Sequence, residues 1–105
     1  MLTVIESPLF TKFWPDYWSE EERGEFAAHI ALNPEVGKLI VGSGGCRKIR
    51  WGVEGLGKSG GVRVIYTARL KSSELILLTI YSKSARDTIP AHVLRKIAEE
   101  LEHGN

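Results

Sequence analysis

A chain of 105 residues and 11.7 kDa, 43% hydrophobic, fits one domain with a modest core, since domains usually hold about 100–150 residues. Three Trp, three Tyr and three Phe at a net charge of +1 exclude disorder, which goes with few aromatics and a large net charge. No apolar run approaches the roughly 20 residues that cross a bilayer, so a membrane helix is excluded as well.

The opening MLTVIESPLF has no basic stretch and reaches Glu6 at once, so it does not read as a secretory signal. Leu2 to Ile5 alternates weakly and predicts a brief strand. Ser7-Pro8 reads as an N-cap followed by proline at the first helical position, and Pro15 should stop that helix near Trp14. Ser19-Glu20-Glu21-Glu22 is a capping box with three carboxylates in the first turn. It starts a second helix from about Glu20 to Leu32 that buries Phe26, Ala27 and Ile30 and stops before Asn33-Pro34.

From Val36 the texture changes. Eight of the eleven glycines lie between Gly42 and Gly61, interrupted by Cys46 to Trp51, which reads as a strand. Val62 to Leu70 and Glu74 to Ser82 are rich in β-branched and aromatic residues. A short polar turn joins them into an antiparallel hairpin. A last helix follows Asp87-Thr88, capped by Thr88, with Leu94, Ile97, Ala98 and Leu101 as its apolar stripe and Gly104 past its end. The order β-α-α-β-β-β-α predicts an α+β domain over residues 1–105, with helices packed on one face of an antiparallel sheet. The other face is left for solvent or a partner.

Charge is unevenly spread along this order. Residues 1–35 carry two cations against seven carboxylates, a local −5. Residues 36–71 carry eight cations against Glu54 alone, a local +7, and residues 72–105 a local −1. A focused positive field attracts polyanions even when the net charge is small.

Strand periodicity sorts these cations by face. Lys48 and Arg50 point one way and Ile49 and Trp51 the other. If the apolar pair packs on the helices, the cations stand on the open face. Arg63 lies between Val62 and Val64 and on the opposite face from them. A cation inside a central strand is costly unless it meets water or a partner. Several in one sheet suggest a shared anion site, and a paired structural arginine is the alternative. Lys83 follows Tyr81 at the end of the last strand, where a side chain reaches the rim.

Other motifs point elsewhere or nowhere. Gly52 to Ser59 matches the phosphate-loop pattern G-x-x-x-x-G-K-[ST], but that loop needs a helix after it. Here Gly60 to Tyr66 is β-rich, so the segment reads as a hairpin loop offering Lys58. His29, His92 and His103 have no ligand spacing. Cys46 fits a reducing compartment. It shares the face of Lys48 and Arg50, where cations lower a thiol pKa, although a small buried thiol suits it better. Trp14, Tyr17 and Trp18 lie near the core-forming helices and read as core. Tyr66 and Tyr81, on basic strands, are the aromatics to assign to nucleotide contact, and either has room to pack inside.

Gly44-Gly45-Cys46-Arg47-Lys48-Ile49-Arg50-Trp51, then Gly57-Lys58-Ser59-Gly60-Gly61-Val62-Arg63-Val64-Ile65-Tyr66, then Ile80-Tyr81-Ser82-Lys83 resembles the RelE/HigB superfamily of bacterial type II toxin–antitoxin toxins, in its HigB-like, phage-derived branch. The resemblance covers nearly the whole chain. It implies the RelE-like fold and a cytoplasmic, ribosome-dependent mRNA interferase: an endoribonuclease that enters the ribosomal A site and cleaves mRNA without metal or cofactor. In that family the 2′-hydroxyl attacks the adjacent phosphate. Arg63 matches the phosphate-binding arginine, whose guanidinium can hold two oxygens. Lys48 and Arg50 match two basic residues of which one takes the 2′-OH proton. Lys48 is the choice, because arginine is almost never neutral. Lys83 matches the residue that protonates the 5′-oxygen, and Arg47, Arg50, Lys58, Tyr66 and Tyr81 are the expected RNA contacts.

Some members place a stacking tyrosine a few residues beyond the position of Lys83, and Arg86 to Ile89 has none. The stacking role then passes to Tyr81 or Tyr66. The resemblance also implies a cognate helix-turn-helix antitoxin that covers the +7 region and binds the operon's DNA, which this chain does not bind itself. Two other functions fit the same fold: a ParE-like inhibitor of DNA gyrase, and an inactive prophage remnant that binds RNA or an antitoxin.

Overall fold

The computed structural model of the chain describes residues 2–52, 61–82 and 89–103, the last three by backbone alone. Strand β1 (Thr3–Glu6) is followed by helices α1 (Pro8–Phe13) and α2 (Glu20–Leu32), strands β2 (Lys38–Leu39), β3 (Cys46–Trp51), β4 (Val62–Arg69) and β5 (Glu74–Ser82), and helix α3 (Ala91–His103). The helix starts follow their local chemistry. The Ser7 hydroxyl accepts from the Phe10 N–H at 3.1 Å and donates to the Leu78 carbonyl at 2.7 Å, which caps α1 and ties it to β5. Ser19 and Glu22 close the capping box of α2 in both directions, at 3.0 and 3.2 Å. Pro15 turns the chain through a single 3₁₀ turn, Trp14–Asp16. Before α3, the Pro90 carbonyl accepts from Val93 and Leu94. Asp87 and Thr88, the expected start, lie outside the described residues.

The α+β class is as expected, the order of elements gains one strand, β2, ahead of the expected three-strand run, and two further details differ. The sheet is mixed, in the order β1-β5-β4-β3-β2. Strand β1 runs parallel to β5, at the opposite edge from β2, where the chain re-enters the sheet after the two helices, and every other neighbouring pair is antiparallel. The helices also take both faces. Under α1 and α2, Phe10, Trp18, Phe26 and Ile30 pack on Val62, Val64, Tyr66 and Leu77. On the opposite face α3 sets Leu94 and Ala98 over Cys46, Ile65, Ile76 and Leu78. Arg69 fastens this helix by donating to the Ala98 carbonyl at 2.6 Å. The cause lies in β5, whose Leu75 to Ile80 are all buried, as in strands covered on both sides. A helix on one face alone would leave half of that run in water.

Strands β4 and β5 turn through Leu70–Ser72, with Ser73 in the left-handed region at φ 56°. Trp14 and Tyr17 pack against the first core and Trp18 lies within it, so this aromatic group is structural, as its place between the helices predicts.

Candidate nucleic-acid interface

Register places the basic residues. Arg50 on β3 is directly opposite Arg63 on β4, and Arg63 is directly opposite Tyr81 on β5. Side chains in such a row have Cβ atoms about 4.5–5.5 Å apart on one face. Strand alternation puts that row on the side of Cys46 and Lys48, the face that α3 covers. The helix packs over Cys46, Ile65, Ile76 and Leu78, and Tyr81 borders the same cluster, while Arg50 and Arg63 lie toward the other end of the strands. Arg50 and Lys48 are exposed, and Arg63 and Tyr81 half-buried.

Two arginines directly opposite each other repel. Among the described residues, the ion pairs are those of Arg23 with Glu6 at 2.7 Å and with Glu20 at 3.7 Å, so neither Arg50 nor Arg63 has a carboxylate there. Arg63 donates to the Gly61 carbonyl at 3.2 Å, which steadies the guanidinium without supplying a counter-charge among the described residues. Gly61 is needed for close approach: a Cβ there would sit 2.4 Å from the Trp51 carbonyl oxygen. Burial pushes the Tyr81 phenol above its ordinary pKa, and the nearby Arg63 charge partly opposes this. At neutral pH the row therefore offers two cations and one neutral aromatic hydroxyl. That combination suits an anion joined to a flat base.

Lys58 and Lys83 lie outside the described residues. Two other expected contacts belong elsewhere. Arg47 alternates with Lys48 and so faces α2. Its Nη1 donates to the Gly37 carbonyl at 2.8 Å and the Glu35 carbonyl at 3.3 Å, holding the turn that enters β2. Tyr66 is wholly buried. Its hydroxyl accepts from the Gly37 N–H at 2.8 Å and donates to the Pro34 carbonyl at 2.9 Å. Burial raises its pKa most, with the Gly37 bond and the Arg47 charge opposing and the Glu35 charge adding. Both residues serve the turn before β2; Tyr66, wholly buried, is corrected from RNA contact to a structural role, and Arg47 gives its guanidinium to main-chain carbonyls. The alternation that sets Arg47 beside Ile49 and Trp51 is the signal for its placement.

The remaining candidates resolve simply. Cys46 is buried, and burial pushes its thiol up against the lowering effect of a Ser43 hydrogen bond, the opposite of an activated thiolate. The segment resembling a phosphate loop joins β3 to antiparallel β4, so a strand stands where that motif needs a helix. His29 packs against Trp51 with ring centroids 5.0 Å apart, and His92 is exposed on α3. Among the described residues no helix is long and apolar enough to cross a membrane.

No protein-family model matches the sequence. Among solved structures, the chain is similar to a chain of the intact E. coli RelBE toxin–antitoxin complex, with a TM-score of 0.63 and 18% identity over 82% of this chain and 100% of that one. It is also similar to the isolated E. coli RelE toxin, with a TM-score of 0.61 and 18% identity over 92% of this chain and 99% of that one. The likeness is one of fold: this chain has the fold of the RelE toxin.

Proposed function

We propose that this RelE-fold chain is a HigB-like toxin that cleaves translated mRNA in the ribosomal A site and is neutralised by a helix-turn-helix antitoxin. The observation that carries the reading is the row Arg50–Arg63–Tyr81, two cations without a described carboxylate partner beside a neutral tyrosine on a half-open sheet face. A gyrase inhibitor has no use for such a row. The RelBE complex, which pairs a toxin of this fold with an antitoxin, supports the expected partner.

In the reaction, Arg63 and Arg50 hold the non-bridging oxygens of the scissile phosphate and stabilise the charge that builds on them. Lys48, diagonal to Arg63 across β3 and β4 and within reach of a long side chain, takes the proton of the 2′-hydroxyl. The 2′-oxygen forms a bond to phosphorus as the bond to the 5′-oxygen breaks, which leaves a 2′,3′-cyclic phosphate. Lys83 donates a proton to the departing 5′-oxygen. Tyr81 offers its ring to a base, because Tyr66 is committed to the core.

The test uses purified protein in a reconstituted bacterial translation system, with primer extension on the mRNA. Cleavage that needs ribosomes, falls about 10²–10³-fold in Arg63→Ala and falls about 10²–10⁴-fold in Lys48→Ala is expected. Intact mRNA with wild-type protein at stoichiometry with ribosomes overturns the reading.

A further inference from the structure

Charge alone does not single out Lys38, one of eight cations in the middle third of the chain. Strand β2 does, by setting it directly opposite Lys48. On this ladder Ile40 donates to the Cys46 carbonyl at 2.9 Å, two residues along, which makes Lys38 and Lys48 a hydrogen-bonded pair with Cα atoms about 5.5 Å apart. They share a face, and both are exposed. Among the described residues neither has an ion-pair partner. A sheet that places two ammonium groups side by side loses stability, and an anion between them removes that cost.

The position of the pair points to which anion. Lys48 and Arg50 are one same-face step apart on β3, about 7 Å at the usual rise per residue. The Lys38–Lys48 pair and the Arg50–Arg63 pair thus form two parallel cationic rows at a spacing comparable to successive phosphates of an extended single strand. The next position inward from Lys48 is Ile65, which is buried, so the second row ends at the sheet edge and does not continue under α3.

The geometry points to Lys38 as a phosphate-binding residue that holds the phosphodiester next to the one gripped by Arg50 and Arg63. This rests on the RNA-cleavage reading above and adds to it the direction of the strand: the RNA runs along β3, from the Arg50 row to the Lys38 row at the edge. Lys48 stands between the two phosphates, where the intervening ribose lies. Lys38 is a positioning residue, since it touches the neighbouring phosphate and not the reacting atoms.

The salt dependence of RNA binding tests this with a single-stranded oligonucleotide whose 2′-hydroxyls are replaced by hydrogen, so that it cannot be cut. Each phosphate contact on a single strand contributes about 0.7 to the slope of log K against log salt. Lys38→Ala is expected to lower the slope by about 0.7, and Lys38→Arg to restore it. Lys71→Ala, which removes an exposed cation in the turn after β4, is expected to leave the slope unchanged. A Lys38→Ala slope equal to wild type, while Arg63→Ala lowers it, overturns the role of Lys38 and leaves the cleavage reading standing. Equal losses in Lys38→Ala and Lys71→Ala reduce the effect to net charge and overturn it too. A wild-type protein that binds no RNA overturns both readings.

Discussion

Arg47 and Arg63 stand on neighbouring strands of one sheet, yet the two faces treat them differently. On the α1–α2 face, Arg47 spends its guanidinium on the Glu35 and Gly37 carbonyls and lies near a tyrosine whose hydroxyl is satisfied twice over. On the α3 face, Arg63 has one carbonyl, a second arginine opposite and no described carboxylate. Both faces close a core, but only the second sets two arginines opposite each other at its open end, the charge that the proposed function assigns to a ligand. Electrostatic cost without internal compensation separates a binding surface from a structural one, where a count of cations does not.

The largest loss is expected on the α1–α2 side. Phe26 is fully buried, with ring centroids 5.0 Å from Trp18 and 5.1 Å from Trp51. Phe26→Ala should cost about 3–5 kcal/mol, a large share of the roughly 5–15 kcal/mol that holds a domain together, and urea unfolding would measure it. On the open side the balance inverts: Arg63→Ala should change the unfolding free energy by less than about 1 kcal/mol while the cleavage rate collapses. Arg47→Met is the mirror experiment. It leaves two carbonyls short of a donor and should cost about 1–3 kcal/mol, with the RNA-binding salt slope intact. Loss of RNA binding without loss of stability in Arg47→Met would erase the distinction between the faces.

A smaller effect follows from pH. Burial holds the Cys46 thiol above its ordinary 9.0 and the Tyr66 and Tyr81 phenols above their ordinary 10.0. The unfolded chain gives up these protons first as pH rises, so it binds fewer protons than the folded chain in that range. Their contribution to stability is therefore fully present below about pH 9 and declines above it. Denaturation midpoints compared at neutral pH and above pH 9 should show the decline, and Cys46→Ala should remove its earliest part.

Much of this molecule is legible locally. Ser7, Ser19 and Glu22 announce their helices because a cap is a bond between residues three apart. Strand alternation also pairs Lys48 with Arg50 on one face and sets Arg63 on the opposite face from Val62 and Val64, and the β3–β4 register joins the three cations. Strand β2 is not legible: two residues carry no period, and their pairing with β3 comes from the Gly42–Gly45 turn, whose glycines at 42, 44 and 45 have positive φ. With β2 hidden, Lys38 is hidden as well. Tyr66 misleads because it shares a strand with Arg63 and Arg69 while its ring enters the α2 side of the sheet. The position of α3 depends on both faces of β5 being apolar, a pattern visible in Leu75 to Leu78 but easily read as one buried side.

The most direct test of the central claim is induced expression in a bacterium of wild type and Arg63→Ala, with the 5′ ends of a translated mRNA mapped in each. The account predicts growth arrest with new ends that follow the reading frame and require translation, both nearly lost in Arg63→Ala although that protein stays folded and soluble. Growth arrest without new mRNA ends, or arrest that Arg63→Ala retains in full, would contradict it and move the target from RNA to a protein such as gyrase.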